Sequence, residues 1–192
     1  RAGVFDLQGN MLAHAQHEIQ VWRPQENFVE QSSDDIWSAT CRSVRLALHD
    51  ANITPDRVAG ISYDATCSLV ALDAHDRQVT VSPTGNPEQN IIVWMDHRAI
   101  EQAAHINASK HRVLRYVGGK ISPEMEPPKL LWIKENLKDT WNRAAKFLDL
   151  ADFMTYRSTG IDVRSLCTTV CKWTYLGHEA SWDSGFFKKF GM

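Results

Sequence analysis

The sequence lacks the features that mark membrane, secreted and nucleic-acid-binding proteins. No apolar run approaches the roughly 20 residues that a membrane-spanning helix requires. Lys and Arg total 21 against 23 Asp and Glu, a formal net charge of -2, so the basic excess of a nucleic-acid-binding protein is absent. Only four cysteines occur and none forms a C-x-x-C pair, which argues against a disulfide scaffold and favours a reducing, cytoplasmic setting.

The familiar nucleotide and metal motifs are also missing. No G-x-G-x-x-G occurs, and Gly118-Gly119-Lys120 fails as a phosphate loop because no glycine precedes it at the required spacing. Ile121 also stands where such a loop has a metal-coordinating Ser or Thr. His14 and His17 have no third ligand at useful spacing, so we interpret them as surface residues and predict no metal site.

The composition is that of an ordinary globular domain, with 192 residues of which 43% are hydrophobic and 23% charged. Hairpin strands next to helix-connected strands favour the α/β class, with a mixed sheet and helices on both faces. The predicted strands are 1–7, 11–21, 57–63, 69–72, 78–81, 91–94 and 147–150. The predicted helices are one of about four turns capped by Ser33, one starting at Pro127-Pro128, and 99–107, 151–159 and 182–190.

Two of the predicted strands end in clusters of polar side chains. Asp64-Ala65-Thr66-Cys67-Ser68 follows the first strand, and Trp94, Asp96, His97 and Arg98 follow the second. In α/β sheets, ligands bind just beyond the carboxyl ends of strands. A carboxylate, hydroxyls and an aromatic ring at that place predict a site for a polyhydroxylated ligand.

Several stretches, in order and spread over nearly the whole chain, carry a family resemblance. They are the hairpin over residues 1–21, G-I-S-Y-D-A-T-C-S-L-V-A-L-D, V-W-M-D-H-R-A and G-G-K-I-S-P-E-M-E-P-P-K-L-L-W-I-K-E-N. Together they resemble the N-terminal domain of the FGGY carbohydrate kinases, which have the ribonuclease H-like, actin-type ATPase fold. The later stretches L-D-L-A-D-F-M-T-Y-R-S-T-G and C-T-T-V-C-K-W look closest to the ribulokinase-like, pentulose branch.

The resemblance implies ATP-dependent phosphorylation of a sugar hydroxyl, with ATP and Mg²⁺ as cofactors. D-ribulose is the first candidate, and L-ribulose, xylulose and ribitol stay open. The resemblance implies that the substrate-binding residues lie in the polar clusters and two later stretches. Asp64, Ala65 and Thr66 would face hydroxyls, Trp94 would cover the carbon chain, Asp96 and Arg98 would brace the loop, and Glu124 and Lys172 would supply further polar contacts.

Each of these residues also has a plain structural interpretation. Asp64 can cap a turn, and Trp94 can be a core residue at the end of a strand. Asp96 can cap the following helix with Arg98 as its ion-pair partner. Lys172 can be a solvated surface lysine.

The chain departs from the family pattern at its ends. Relatives have an Asp-x-Gly-Thr phosphate loop just before the position of Arg1, and their catalytic-base Asp and adenine pocket lie beyond that of Met192. We therefore expect residues 1–192 to be a sugar-binding domain truncated at both ends, with no catalytic residue that can be named and no activity alone. The expected partner is a small sugar or polyol, not nucleic acid or a membrane, and a homodimer stays open.

Two other functions compete with a kinase. A non-catalytic sugar-binding or scaffolding protein would keep the sugar site without phosphoryl transfer. A thiol or metal site at Cys167 and Cys171 would use two side chains on one helical face, but no other ligand is visible nearby in the sequence.

Overall fold

The computed structural model describes residues 1–192 and contains two β-sheets and seven α-helices. The strands are β1 (Ala2–Phe5), β2 (Met11–Ala15), β3 (Glu30–Gln31), β4 (Leu69–Leu72), β5 (Ile91–Ile92) and β6 (Lys146–Asp149). The helices are α1 (Ser33–Asp50), α2 (Ile100–Ala108), α3 (Glu126–Asn136), α4 (Lys138–Arg143), α5 (Leu150–Thr159), α6 (Leu166–Trp173) and α7 (Ser184–Lys189). Short 3₁₀ helices span Pro55–Arg57 and Arg112–Val117.

The larger sheet has the strand order β3-β5-β4-β6, and β1 and β2 form a separate hairpin. Every strand pair is antiparallel. The larger sheet therefore has none of the parallel pairs that the predicted mixed sheet would also contain. Strand β4 is central, and all four of its residues are buried. Its neighbours β5 and β6 therefore bring the segments that follow them close to the start of β4.

Helices cover both faces of the larger sheet, as the alternation of side chains along β4 requires. Leu69 and Ala71 pack on one face in a cluster that includes Ile133 of α3. Val70 and Leu72 pack on the other face against α5, and residues of α1 join the same cluster. The prediction of an α/β protein with helices on both faces of a sheet is confirmed.

Helix α1 shows why the long periodic segments could be predicted. Ser32 is its N-cap, one residue before the predicted Ser33, and its Oγ accepts a hydrogen bond of 3.3 Å from the Asp35 amide. Asp34 and Asp35 occupy the first turn, where the helix dipole favours negative charge. The elements β4, β5, α2, α3, β6 and α5 also lie within two residues of their predicted positions.

The predicted strand at 57–63 is wrong. Beyond the 3₁₀ turn Pro55–Arg57, the segment up to Ser68 forms no ladder, and its apolar side chains Val58 and Ile61 are 45% and 63% exposed. A strand is stabilised by backbone hydrogen bonds to a neighbour, and no strand of this structure pairs with the segment.

Other boundaries also differ from the prediction. The predicted strand 78–81 is reduced to a single bridge between Leu72 and Gln78, although Val79 and Val81 are buried. Strand β2 ends at Ala15 rather than at residue 21. Helix α7 is shorter than the predicted 182–190, and β3, α4 and α6 were not predicted.

None of the helices is both long enough and apolar enough to cross a membrane.

Candidate functional site

The two polar loops of the sequence meet at one buried serine, Ser68. Its Oγ accepts a hydrogen bond of 3.1 Å from the Trp94 amide and lies 3.1 Å from Thr66 Oγ1. Its carbonyl accepts a further bond of 2.9 Å from the Leu150 amide. Ser68 therefore fixes the loop before β4 against the loop after β5. The prediction did not include this hydroxyl among the site residues, although its position between Thr66 and a buried strand is the signal that was available.

Within the first loop, two polar side chains are open to solvent. Asp64 and Thr66 are exposed, and Ala65 is partly buried against the cluster below. No protein hydrogen bond engages the Asp64 carboxylate, so the alternative of a turn-capping Asp gains no support from the contacts of the loop. Both carboxylate oxygens can accept hydrogen bonds from a ligand's hydroxyl groups.

Trp94 directly follows the buried residue Val93 and is 37% exposed. A tryptophan that belonged to the core would be largely enclosed by other side chains. The ring instead presents an apolar surface to solvent, and the backbone amide of Trp94 is hydrogen-bonded to Ser68 of the first loop.

Asp96 and Arg98 face inward and form a buried ion network. Asp96 Oδ1 accepts hydrogen bonds of 2.9 Å from both Nε and the backbone amide of Arg98, and Oδ2 accepts one of 2.7 Å from Arg98 Nη2. The same Asp96 Oδ2 accepts a bond of 2.7 Å from the Val29 amide. Arg98 also donates to Glu30 Oε1 and to the Val81 carbonyl, each at 2.8 Å. All three charged side chains are fully buried.

Aromatic rings beside Arg98 offset part of the cost of burying its charge. Its guanidinium lies 4.1 Å from the ring centre of Phe28 and 4.9 Å from that of Trp132, distances at which aromatic faces attract a cation. Burial raises the pKa of Glu30, and the charge of Arg98 opposes that rise. Asp96 is not the cap of α2, because that helix starts at Ile100. The network places Asp96 and Arg98 beneath the loop, where they hold it rather than reach solvent.

Glu124 is linked to the Trp94 loop through a histidine. His97 Nε2 lies 2.9 Å from Glu124 Oε1, and both side chains are partly exposed. The sequence analysis noted His97 as part of its polar cluster but gave it no role. Because the interacting residues are 27 positions apart in the chain, no local pattern predicts their contact.

Lys172 lies near the C-terminal end of α6, a helix capped by Ser165, and it is partly buried. Its positive charge acts on the ionisation of Cys67, in the first loop, and of the buried carboxyls of Glu126 and Asp149. Cys167 and Cys171 on the same helix are exposed free thiols, and no group of three or more possible ligands forms a metal-binding cluster.

The candidate site residues that are not fully buried comprise hydrogen-bonding groups and one aromatic ring. Two carboxylates, one hydroxyl and one ammonium group supply acceptors and donors to a polyol. These residues are Asp64, Glu124, Thr66 and Lys172, with Trp94 as the ring. Groups of these kinds are the ones that hydrogen-bond to hydroxyl groups.

Comparison with known proteins gives a consistent result. A family model described as the FGGY family of carbohydrate kinases, N-terminal domain, matches residues 1–191. Over its full length the chain is 46% identical to an FGGY carbohydrate kinase domain-containing protein of Homo sapiens and 42% identical to a D-ribulokinase of Saccharomyces cerevisiae. It covers 34% and 28% of those proteins, so it spans about a third of the length of the curated relatives it matches.

A solved xylulose kinase from Brucella ovis has a similar fold. The TM-score is 0.84 at 22% sequence identity, over 98% of this chain and 38% of the other. The prediction of the ribonuclease H-like, actin-type fold is thereby confirmed.

Proposed function

The chain belongs to the FGGY family of carbohydrate kinases, and on that premise we propose that it forms the sugar-binding side of a pentulose kinase whose first substrate is D-ribulose. The observation that carries the proposal is the convergence of Asp64, Thr66 and Trp94 on two loops joined by Ser68. The full-length identity of 42% to a D-ribulokinase supports the choice of sugar.

The exposure of each residue suggests whether it contacts the sugar or supports the loops. Asp64 and Thr66 are exposed polar groups for the sugar hydroxyls, and the Trp94 ring is an apolar surface for the carbon chain. Asp96 and Arg98 stabilise the position of the second loop from below. A site built around hydroxyls disfavours ligands that lack them, because its own groups are then left unpaired.

Glu124 and Lys172 complete the proposed sugar wall. The imidazole of His97 fixes Glu124 at 2.9 Å, which limits the directions in which its carboxylate can accept hydrogen bonds. Lys172 contributes a cation to a site that otherwise holds carboxylates. In phosphoryl transfer the protein mainly positions the reacting groups and stabilises charge. Rigidly held sugar-binding residues would therefore help to position the hydroxyl that is phosphorylated.

ATP and Mg²⁺ are the cofactors that we propose for the whole enzyme, where they would supply the phosphoryl group and its charge stabilisation. The residues of this chain do not fit either group. Gly118 and Gly119 follow a 3₁₀ turn in an exposed connection and lack the sequence of a phosphate loop, and no cluster of carboxylates is arranged for a metal ion. We therefore assign residues 1–192 the binding and orientation of the sugar only.

A substrate panel on the full-length protein tests the proposal. ADP release would be measured with D-ribulose, L-ribulose, D-xylulose, ribitol and glycerol, at saturating ATP and Mg²⁺. We expect D-ribulose to give the highest kcat/KM and glycerol the lowest. Phosphorylation of glycerol in preference to every pentulose would overturn the choice of substrate, and binding of D-ribulose without ADP release would favour a non-catalytic sugar-binding protein.

A further inference from the structure

Three charged side chains are fully buried where α3 begins and β6 ends. Glu126, Lys129 and Asp149 each have 0% exposure. Glu126 Oε2 and Lys129 Nζ are 3.6 Å apart, which is too long for a hydrogen bond. Both Glu126 oxygens, Lys129 Nζ and Asp149 Oδ2 have no hydrogen-bond partner. Buried polar groups are normally paired, so this cluster calls for a functional explanation.

The charges of the cluster do not balance by themselves. Ionised Glu126 and Asp149 carry two negative charges, and Lys129 compensates only one of them. Lys172 is the next cation, on α6, a helix that packs against α3 through Trp173. Its charge acts on both carboxyls.

The cluster is also next to the candidate sugar site. Cys67, the neighbour of Thr66 in the first loop, is within range of the charges of Asp149, Lys172 and Glu126. Lys172 itself is only partly buried, and its ammonium group makes no hydrogen bond to the protein.

Thr168, one turn before Lys172 on the same face of α6, donates a hydrogen bond of 2.7 Å to Asp152 Oδ2 of α5, and Asp149 pairs with Leu69 directly after the first loop. Lys172 therefore lies on the face of α6 that is turned toward the start of α5, close to Asp149 and the first loop.

We propose that Glu126 and Asp149 form an anionic floor that holds the ammonium group of Lys172 in place at the sugar site. They act as positioning residues, since neither reaches solvent. The sugar role of Lys172 rests on the proposed function, whereas its attraction to the floor does not.

The charge of the floor changes near neutral pH. Burial raises the pKa of Glu126 to about 7, with the charge of Lys129 opposing the rise. Burial also raises the pKa of Asp149 to about 6, against the hydrogen bond from the Ala151 amide. The groups that face the floor are Lys129 on α3, Asp152 on α5, Lys172 on α6 and Cys67 in the first loop. As the pH falls through this range, the floor loses negative charge and its hold on Lys172 weakens.

Chemical labelling of Lys172 tests the floor without any sugar. An acetylating reagent reacts with the neutral amine, and a nearby carboxylate favours the ammonium form, so the floor slows the reaction. In the full-length protein at pH 8, Glu126→Gln is expected to speed the acetylation of Lys172 about threefold or more relative to exposed Lys189, as read by peptide mass spectrometry. Glu101→Gln, at an exposed position on α2, is the matched control and should leave the ratio unchanged.

Asp149→Asn provides a second variant if Glu126→Gln does not fold, because asparagine keeps the oxygen that accepts from the Ala151 amide. It is expected to accelerate the labelling of Lys172 in the same direction. Unchanged labelling of Lys172 in the variant that folds would overturn the proposal.

Sugar kinetics then separate this inference from the proposed function. With D-ribulose, Glu126→Gln should raise the sugar KM about fivefold at pH 8 and leave the ATP KM unchanged. In the wild type the sugar KM should rise as the pH falls from 8 to 6, and the variant should lose this rise. If Glu126→Gln accelerates the labelling of Lys172 but the protein phosphorylates no pentulose, the anionic floor is supported and the proposed pentulose kinase activity is rejected. Accelerated labelling together with a sugar KM in Glu126→Gln that follows the wild-type pH profile would overturn the placement of Lys172 at the sugar site.

Discussion

At the scale of single residues, the candidate site contains exposed side chains and buried side chains that support the loops. Asp64 and Trp94 are open to solvent, whereas Asp96 and Arg98, two residues apart in the sequence, are fully occupied by protein partners. Their family motif contains both kinds of residue, so the motif alone does not distinguish a ligand contact from a brace.

Asp64→Ala in the full-length protein should weaken sugar use and leave ATP use intact. The lost contact is a hydrogen bond from a sugar hydroxyl to a carboxylate, which is worth about 1–3 kcal/mol, or roughly 5- to 150-fold in kcat/KM for the sugar. Steady-state kinetics with each substrate varied in turn measures the effect. Asp139→Ala, at an exposed position of α4, is the control. Equal sugar kinetics in the two variants would show that Asp64 makes no contact with the sugar.

The sequence could predict which residues gather at the site but not how they are connected. The two polar loops were found because each follows an apolar run, and Lys172 was found only through the family resemblance. The contacts through Ser68 and between His97 and Glu124 join residues 26 and 27 positions apart. Such contacts depend on the packing of whole elements, which single-sequence patterns do not encode.

At the scale of elements, the buried network of Arg98 joins β3, the segment after β5 and the chain at Val81. Each partner lies on a different element, and Arg98 is the cation common to all of them. The position of the Trp94 loop therefore depends on one fully buried guanidinium.

Arg98→Met should destabilise the protein strongly. Removing one partner leaves the Glu30 and Asp96 carboxylates buried without their counter-charge, which costs about 3–5 kcal/mol. Denaturant unfolding of the variant measures the loss. Arg42→Met, at an exposed position on α1, should change the free energy of unfolding by less than about 0.5 kcal/mol, and a similar small change in Arg98→Met would show that the network is not a brace.

Elements with their own strong pattern could be predicted, whereas those that depend on a neighbour could not. Helix α1 combines a cap, an acidic first turn and regular apolar spacing, so its sequence suffices to predict it. The segment 57–63 has an apolar pattern typical of a strand, but no neighbouring strand pairs with it. The two-residue strand β3 lies in a polar stretch and depends on its pairing with β5 and on a bridge between Trp22 and Glu30.

At the scale of the whole molecule, the buried carboxyls make stability depend on pH. The pKa of Glu126 is raised from 4.5 to about 7 and that of Asp149 from 3.8 to about 6. At a pH between its unfolded and its folded pKa, each group binds more protons in the folded state than in the unfolded state. Both groups therefore lower the stability as the pH rises from about 4 to about 7. Asp73 has a pKa lowered to about 2, chiefly by the Arg77 backbone hydrogen bond, and it affects stability only below that window.

Glu126→Gln should therefore flatten the decline of the melting temperature between pH 5 and pH 7.5. The difference between wild type and variant across this range is expected to be at most on the order of 3 kcal/mol, because glutamine does not titrate. Thermal unfolding of both proteins at several pH values measures it. Parallel pH profiles would mean that Glu126 does not titrate in this range.

Residues 1–192 alone should bind D-ribulose weakly and should not phosphorylate it. Under the proposed function they supply the contacts on only one side of the sugar, so the cost of ordering the sugar is poorly offset. The Kd should be roughly millimolar or weaker, about -4 kcal/mol at best. Calorimetric titration and an ADP-release assay on the isolated chain test the two parts. Measurable turnover would place a nucleotide site within these residues.

The most direct test of the sugar site is to observe Trp94 while the sugar binds. The full-length protein would be labelled with 5-fluorotryptophan, and the Trp94 signal assigned by its loss in Trp94→Phe. Because the Trp94 ring is 37% exposed and its amide is hydrogen-bonded to Ser68 of the first loop, D-ribulose bound at these loops should shift this ¹⁹F signal in a saturable way, while glycerol shifts it less. A Trp94 signal that stays fixed while the protein binds or phosphorylates D-ribulose would contradict the assignment of these loops to the sugar.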